Sequence, residues 1–141
     1  MRHKLRMVMS ASMEDVRLCT LALRGVCLGL GMGEDEVRTV ELAVFEGLSN
    51  IVRHAYCFDS SRKLEVELEV TEEFCEVTVI DEGDEFDPRQ IPPLSVDHRD
   101  PGSLPEGGVG VHIMREAMDE IDYRREGGRN LLRLRKYRRG Q

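Results

Sequence analysis

Three stretches carry residues whose types and spacing could do chemistry. In the first, Glu46, Asn50 and His54 stand at i, i+4 and i+8. On a helix that spacing stacks a carboxylate, an amide and an imidazole along one face. Asn50 offers a neutral hard oxygen suited to Mg²⁺, and Glu46 can accept a hydroxyl proton. Apolar neighbours make the row partly buried, so its polar groups need partners. A plain polar stripe is the other reading of the same spacing. The second stretch is Asp81-Glu82-Gly83-Asp84-Glu85-Phe86-Asp87-Pro88. A carboxylate at a strand end can accept from an exocyclic amine such as adenine's, and a glycine two residues on allows close approach of a flat ligand. An acidic turn would look the same. The third is Glu106-Gly107-Gly108-Val109-Gly110-Val111, a glycine-rich loop leading into a helix. Free amides at a helix start attract phosphate, although a hinge would also use these glycines. GxxxxGK[ST] is absent, and Lys4, Lys63 and Lys136 all lie far from this loop in sequence.

These groups need a scaffold. Residues 3–9 nearly alternate and predict a strand. Ser10 and Ser12 offer N-caps for a helix that stops at Gly29-Leu30-Gly31. A second helix is expected from about Gly33 to His54, with Val37, Val40, Ala43, Val44, Gly47, Leu48 and Ile51 on one face. Leu64 to Val70 alternates strictly, and Phe74 to Ile80 follows across a short joint, giving a hairpin. Residues 87–108 hold all five prolines and read as a long irregular loop, a functional lid. Residues 110–121 read as a third helix. Residues 123–126 and 130–137 form a closing hairpin. The order β-α-α-β-β-α-β-β implies a single domain, an α/β (α+β) two-layer sandwich with helices on one face of a mixed sheet.

Together the three stretches resemble the GHKL superfamily of ATP-binding domains, with its Bergerat-type fold. The finer match is to the anti-sigma-factor serine kinases. It is carried by Glu46, Asn50 and His54-Ala55-Tyr56, by Asp81, Gly83 and Phe86-Asp87-Pro88, by Gly107-Gly108 and Gly110-Val111, and by residues 118–132. The resemblance implies that Asn50 holds Mg²⁺ bridging the ATP phosphates and that Glu46 activates a protein serine hydroxyl. It implies that Asp81 holds the adenine amine and that Gly83 clears room for the ring. Phe86, Gly107, Gly108, Gly110 and Val111 complete the ATP-binding set. His54 is read instead as a helix-end histidine in a satisfied hydrogen bond.

The resemblance further implies a cytoplasmic bacterial kinase that phosphorylates a STAS-domain anti-sigma-factor antagonist and sequesters a sigma factor. Homodimerisation is expected through the first strand and helix. The alternative is a nucleotide-dependent protein-binding switch with little kinase activity. The catalytic part of a sensor histidine kinase is a third reading, disfavoured because no phospho-acceptor helix pair precedes the domain. Two departures stand out. Glu85 replaces a second glycine common in the superfamily, and residues 100–107 contain no Arg or Lys, which leaves Arg99 as the lid's nearby cation for a γ-phosphate.

Composition agrees with a soluble globular domain. The 141 residues are 40% hydrophobic and 33% charged, with net charge −7, which disfavours non-specific binding to nucleic acid or an anionic membrane. No apolar run approaches the roughly 18–20 residues of a membrane span, and the N-terminus lacks a signal-peptide pattern. Cys19, Cys27, Cys57 and Cys75 lack CxxC spacing and read as reduced, mostly buried thiols. The charge is uneven. Residues 124–141 hold eight Arg and Lys against Glu126 alone, a net +7, which leaves −14 on the rest. A solvent-facing sheet surface accounts for Arg133 and Arg135, and the other basic groups are expected to guide an acidic partner.

Overall fold

Two side chains start the first helix. Ser12 Oγ accepts from Asp15 N at 3.2 Å, and the Asp15 carboxylate accepts from Ser10 N at 3.1 Å, satisfying amides that a helix start leaves open. They join β1 (Arg2–Ser10) to α1 (Met13–Gly29). That helix closes at Gly31, φ +86°. Gly31 N donates to Leu28 O at 3.0 Å and Met32 N to Cys27 O at 3.1 Å, the paired bonds of a Schellman stop. Next, α2 (Glu34–Asn50) opens on Glu34, Asp35 and Glu36, which complement its dipole. In this computed structural model residues 1–92 and 109–139 are described. The remaining elements are β2 (Lys63–Thr71), β3 (Phe74–Asp81), a 3₁₀ turn at Pro88–Gln90, α3 (Val109–Ala117), β4 (Glu120–Glu126) and β5 (Arg129–Tyr137). Most of the expected lid, with Gly107 and Gly108, lies outside the described residues.

The helical course continues past Asn50, as its spacing predicts, but with a different pitch. Ile51–Ala55 forms a π-helical turn, closed by Tyr56 N donating to Ile51 O at 2.9 Å. Such turns insert an extra residue per bonded ring and re-aim the side chains that follow. Cys57 (φ +47°) and Phe58 (φ +62°) then reverse the chain in the left-handed region.

The sheet order is β1-β2-β3-β5-β4, and every neighbouring pair is antiparallel. This corrects the expected mixed sheet while leaving the α+β sandwich intact. With two successive helices between β1 and β2 the chain reverses three times, so β2 returns antiparallel to β1. A single helix between β3 and β4 would make those two parallel neighbours, but β5 inserts between them. The third helix is also shorter than the 110–121 predicted. Ile121 pairs with Leu134 and Tyr123 with Leu132, so strand alternation overrides the helical spacing of Met118 and Ile121.

The helices cover one sheet face. Leu64, Val66, Leu68 and Val70 of β2 and Val77 and Val79 of β3 meet Val16, Leu23, Val40, Val44, Leu48 and Met114, all at most 1% exposed. On the open face the charge segregation of the sequence closes on itself. Glu65 pairs with Arg6 and Arg129, Glu69 with Arg2, and Glu76 with Arg133 and Arg135. Lys136 reaches Asp119, while Arg138 donates to Thr71 O. Much of the basic segment is thus matched by acids of this chain, and the expectation that it guides an acidic partner loses its ground.

Candidate active site

The end of β3 holds the best-connected polar group. Asp81 is 6% exposed. Its Oδ1 accepts from Gly83 N at 2.8 Å and Asn130 Nδ2 at 2.9 Å. Asn130 Oδ1 accepts in turn from Tyr123 Oη at 2.8 Å and Arg125 at 2.7 Å, so the amide is fully used. Asp81 Oδ2 has no hydrogen-bond partner among the described residues and remains available to a ligand donor. Burial raises the Asp81 pKa, and the bonds from Asn130 and Gly83 only partly oppose that rise. Asn130 falls within the 118–132 stretch of the family resemblance. Its signal lay in the sequence, as a polar residue among the core-facing positions Leu132 and Leu134.

Asp81 lies in a cleft with Asn50, Ile51, Ala55, Phe86, Met114 and Tyr123. Its free space is about 20 Å³, room for about one water. Phe86 and Pro88 form part of its cover. That cover is tethered. Phe86 N donates to Tyr123 Oη at 3.2 Å, and Arg89 bridges Asp87, Asp122 and Tyr123 O. Burial acts to raise the Asp87 pKa, but hydrogen bonds from Arg89 outweigh it and lower it. Glu82, Asp84 and Glu85 are exposed, so their charge is hydrated.

Gly83 answers a packing demand. A Cβ there would stand 2.8 Å from Ala55 Cβ and 2.9 Å from Ala55 O. The glycine lets the strand end touch the π-helical turn, a reason for its presence beyond the room expected for a ring. His54 also departs from expectation. Its ring is stacked with Phe86, centroids 6.1 Å apart, and accepts or donates no hydrogen bond among the described residues.

A second cleft of about 260 Å³ adjoins the first. Glu46, Asn50, Arg53 and His54 line one wall, and Val109, Gly110 and Ile113 the other. Asn50 lines both clefts. A Cβ on Gly110 would collide with Glu46 Oε2 and stand 3.7 Å from Asn50 Oδ1, so this glycine admits the Glu46 carboxylate against the start of α3. Asn50 is 7% exposed, and its Nδ2 is buried without a partner among the described residues. A buried orphan amide of this kind signals an absent partner. The Val111 side chain is wholly buried, so only its backbone can serve a ligand. Of the expected set, Glu46, Asn50, Asp81, Phe86 and Gly110 line these two clefts, and Gly83 packs beside them against Ala55. Arg53 is a member that the sequence reading did not single out.

The constellation is a strand-end carboxylate, a helix bearing Glu and Asn one turn apart, and a glycine-started helix facing them. Residues 9–136 match the model for the histidine kinase-like ATPase domain. The chain belongs to that family. Within the histidine kinase-like ATPases, it is 34% identical over 128 residues to the serine-protein kinase RsbW of Bacillus subtilis, covering 88% of this chain and 79% of that one. Two solved structures share the fold. The RsbU and RsbW domains of Rv1364c from Mycobacterium tuberculosis match at TM-score 0.69 and 17% identity, over 98% of this chain and 33% of that one. The SiaB–SiaC complex of Pseudomonas aeruginosa matches at TM-score 0.59 and 15% identity, over 94% and 89%.

Proposed function

We propose that the chain is an ATP-dependent protein serine kinase and anti-sigma factor, whose substrate is a STAS-domain antagonist and whose sequestered partner is a sigma factor. The observation that carries the reading is the placement of Glu46 beside Asn50 and against Gly110. In the reaction, the serine Oγ forms a bond to the γ-phosphorus while the bond to the β,γ-bridging oxygen breaks. The serine proton passes to Glu46, and ADP leaves. Phosphoryl transfer depends mostly on positioning and charge neutralisation. Asp81 Oδ2 accepts from the adenine amine, while its fixed neighbour Asn130 engages Oδ1. The free amides at the start of α3 face the phosphates.

Mg²⁺ fits this donor set. Asn50, which lines both clefts, would hold it through its amide oxygen, a hard neutral donor. The ion would neutralise charge on the phosphates. We assign homodimerisation to β1, a sheet edge on which Leu5 and Val8 are exposed, and a monomer mass by light scattering would refute it. No helix among the described residues is long and apolar enough to cross a membrane.

The test is incubation with Mg-ATP and a STAS-domain antagonist encoded beside the gene. The expected result is phosphoserine on the antagonist, lost with Glu46→Ala while ATP still binds. Unmodified antagonist with the unaltered protein would defeat the reading. A switch without phosphotransfer has no use for a carboxylate at position 46, so it is the weaker reading.

A further inference from the structure

The base end and the phosphate end of the site stand on different elements. Asp81 closes β3, while Glu46 and Asn50 belong to α2. A nucleotide that touches both needs a fixed span between them. One side chain ties the two together. Tyr56 follows the π-helical turn that continues α2. Its hydroxyl accepts from Glu82 N at 2.7 Å and donates to Lys63 O at 2.9 Å. We propose that Tyr56 is a positioning residue for the nucleotide: its hydroxyl sets the place of Asp81 relative to the α2 side chains, and so how strictly the cleft selects a 6-amino purine. This rests on the kinase reading above.

Three observations converge. First, the bond falls on the residue next to Asp81. Holding Glu82 N fixes the plane of the peptide that joins it to Asp81, and with it the backbone from which the carboxylate projects. Gly83 N returns to Asp81 Oδ1 at 2.8 Å, so this turn is tied from inside by Asp81 and from outside by Tyr56. Second, the hydroxyl has no slack. Glu82 N can only donate and Lys63 O can only accept, so the direction of both bonds is set. The residue is 4% exposed, and the Arg62 guanidinium lies 4.6 Å from the ring centroid, which holds the ring in place. Third, the bond does what packing alone does not. Ala55 stands against Gly83 so closely that a Cβ on the glycine would lie 2.8 Å from its own. That contact resists approach but not separation. Among the described residues, Tyr56 Oη makes the one hydrogen bond between residues 34–56 and residues 81–90, and it resists both.

The test separates positioning from a merely structural role. Affinity for Mg-ATP and for the magnesium complex of inosine triphosphate, which carries a 6-oxo group in place of the amine, is measured with the unaltered chain and with Tyr56→Phe. Both are held well below their melting temperatures, so that only folded molecules are compared. Tyr56→Phe is expected to weaken ATP about tenfold and to shrink the preference for ATP over inosine triphosphate by a similar factor. A tyrosine that only stabilises the fold would lower the melting temperature and leave that preference intact, and this result would overturn the assignment. Amide hydrogen exchange gives a readout that needs no variant. Glu82 is exposed, so its N–H owes its protection to the Tyr56 bond. Slow exchange at Glu82 is expected, and exchange at the rate of an open amide would overturn the assignment even if Tyr56→Phe failed to fold. An unaltered chain that binds neither nucleotide, or both alike, would instead bring down the reading of Asp81 as the base acceptor, and the role of Tyr56 with it.

Discussion

Asn130 Nδ2 stands 2.9 Å from Asp81 Oδ1, and that contact fixes which carboxylate oxygen is engaged within the chain. Asn130 cannot rotate, because Tyr123 and Arg125 both donate to its other atom. The bond leaves Asp81 Oδ2 as the free acceptor.

A pH dependence follows from the same carboxylate. The Asp81 pKa is raised by burial, so the folded chain binds this proton more readily than the unfolded one. Its contribution to stability is fully present below the unfolded value of about 3.9 and is lost as pH rises through the folded value. Asp81→Asn keeps an oxygen for Gly83 N and Asn130 Nδ2. At pH 7 it is expected to melt higher than the unaltered chain, with the gap closing toward acid. ATP affinity should drop about 10- to 100-fold, because an amide donor then meets the adenine amine. Identical melting curves at pH 7 would contradict this account.

Gly83→Ala tests the contact with the π-helical turn. The new methyl would meet both Ala55 Cβ and Ala55 O, and backbone yields less readily than a side chain. A loss of about 1–3 kcal/mol is expected from overpacking, measured by urea unfolding. Adding Ala55→Gly removes the Cβ contact but leaves the carbonyl in place, so the double variant should recover only part of the loss.

Gly110→Ala should behave differently. Its methyl meets the end of a flexible side chain, Glu46 Oε2. Glu46 can swing away, so the melting temperature is expected to stay close to that of the unaltered chain. The serine then loses its proton acceptor, and phosphotransfer should fall about 100-fold or more. Full activity in a well-folded Gly110→Ala variant would separate Glu46 from the chemistry.

Thiol accessibility offers a check on the core. Cys57 is exposed, whereas Cys19, Cys27 and Cys75 are buried. Burial also pushes the Cys19 pKa up to about 11, which suppresses its thiolate. A thiol reagent at pH 8 should therefore titrate one cysteine rapidly in the native chain and four in denaturant. Rapid reaction of Cys27 or Cys75, whose sulfurs lie 4.0 Å apart, would mean that α1 lifts from β3.

Much of this was legible in the residues because local rules agreed with the global packing. The alternation of Leu64 to Val70 and the i, i+3, i+4 spacing of α2 each have one face to bury, and both elements formed. The two-residue turn Gly127-Gly128, with φ +55° and +78°, closes the last hairpin where glycines permit it. Where two periods competed, the sequence was ambiguous. Met118 and Ile121 suit a helix, yet Ile121 is claimed by Leu134 across the ladder.

The amino-acid sequence by itself determined the element order, the buried faces and the identity of the polar groups Glu46, Asn50 and Asp81. Those depend on interactions within a turn of helix or between alternate residues of a strand. Tertiary structure alone decided that β5 inserts beside β3 and so brings Asn130 to Asp81. It likewise decided that Gly83 touches Ala55, that Gly110 faces Glu46, and that Arg53 shares their cleft. Each of these joins residues far apart in the chain or follows from a change of helical pitch, and no local spacing rule encodes either. The charge asymmetry was decided the same way. The acids of β2 and β3 and the arginines of β5 look like opposed segments in sequence, and the antiparallel register makes them partners.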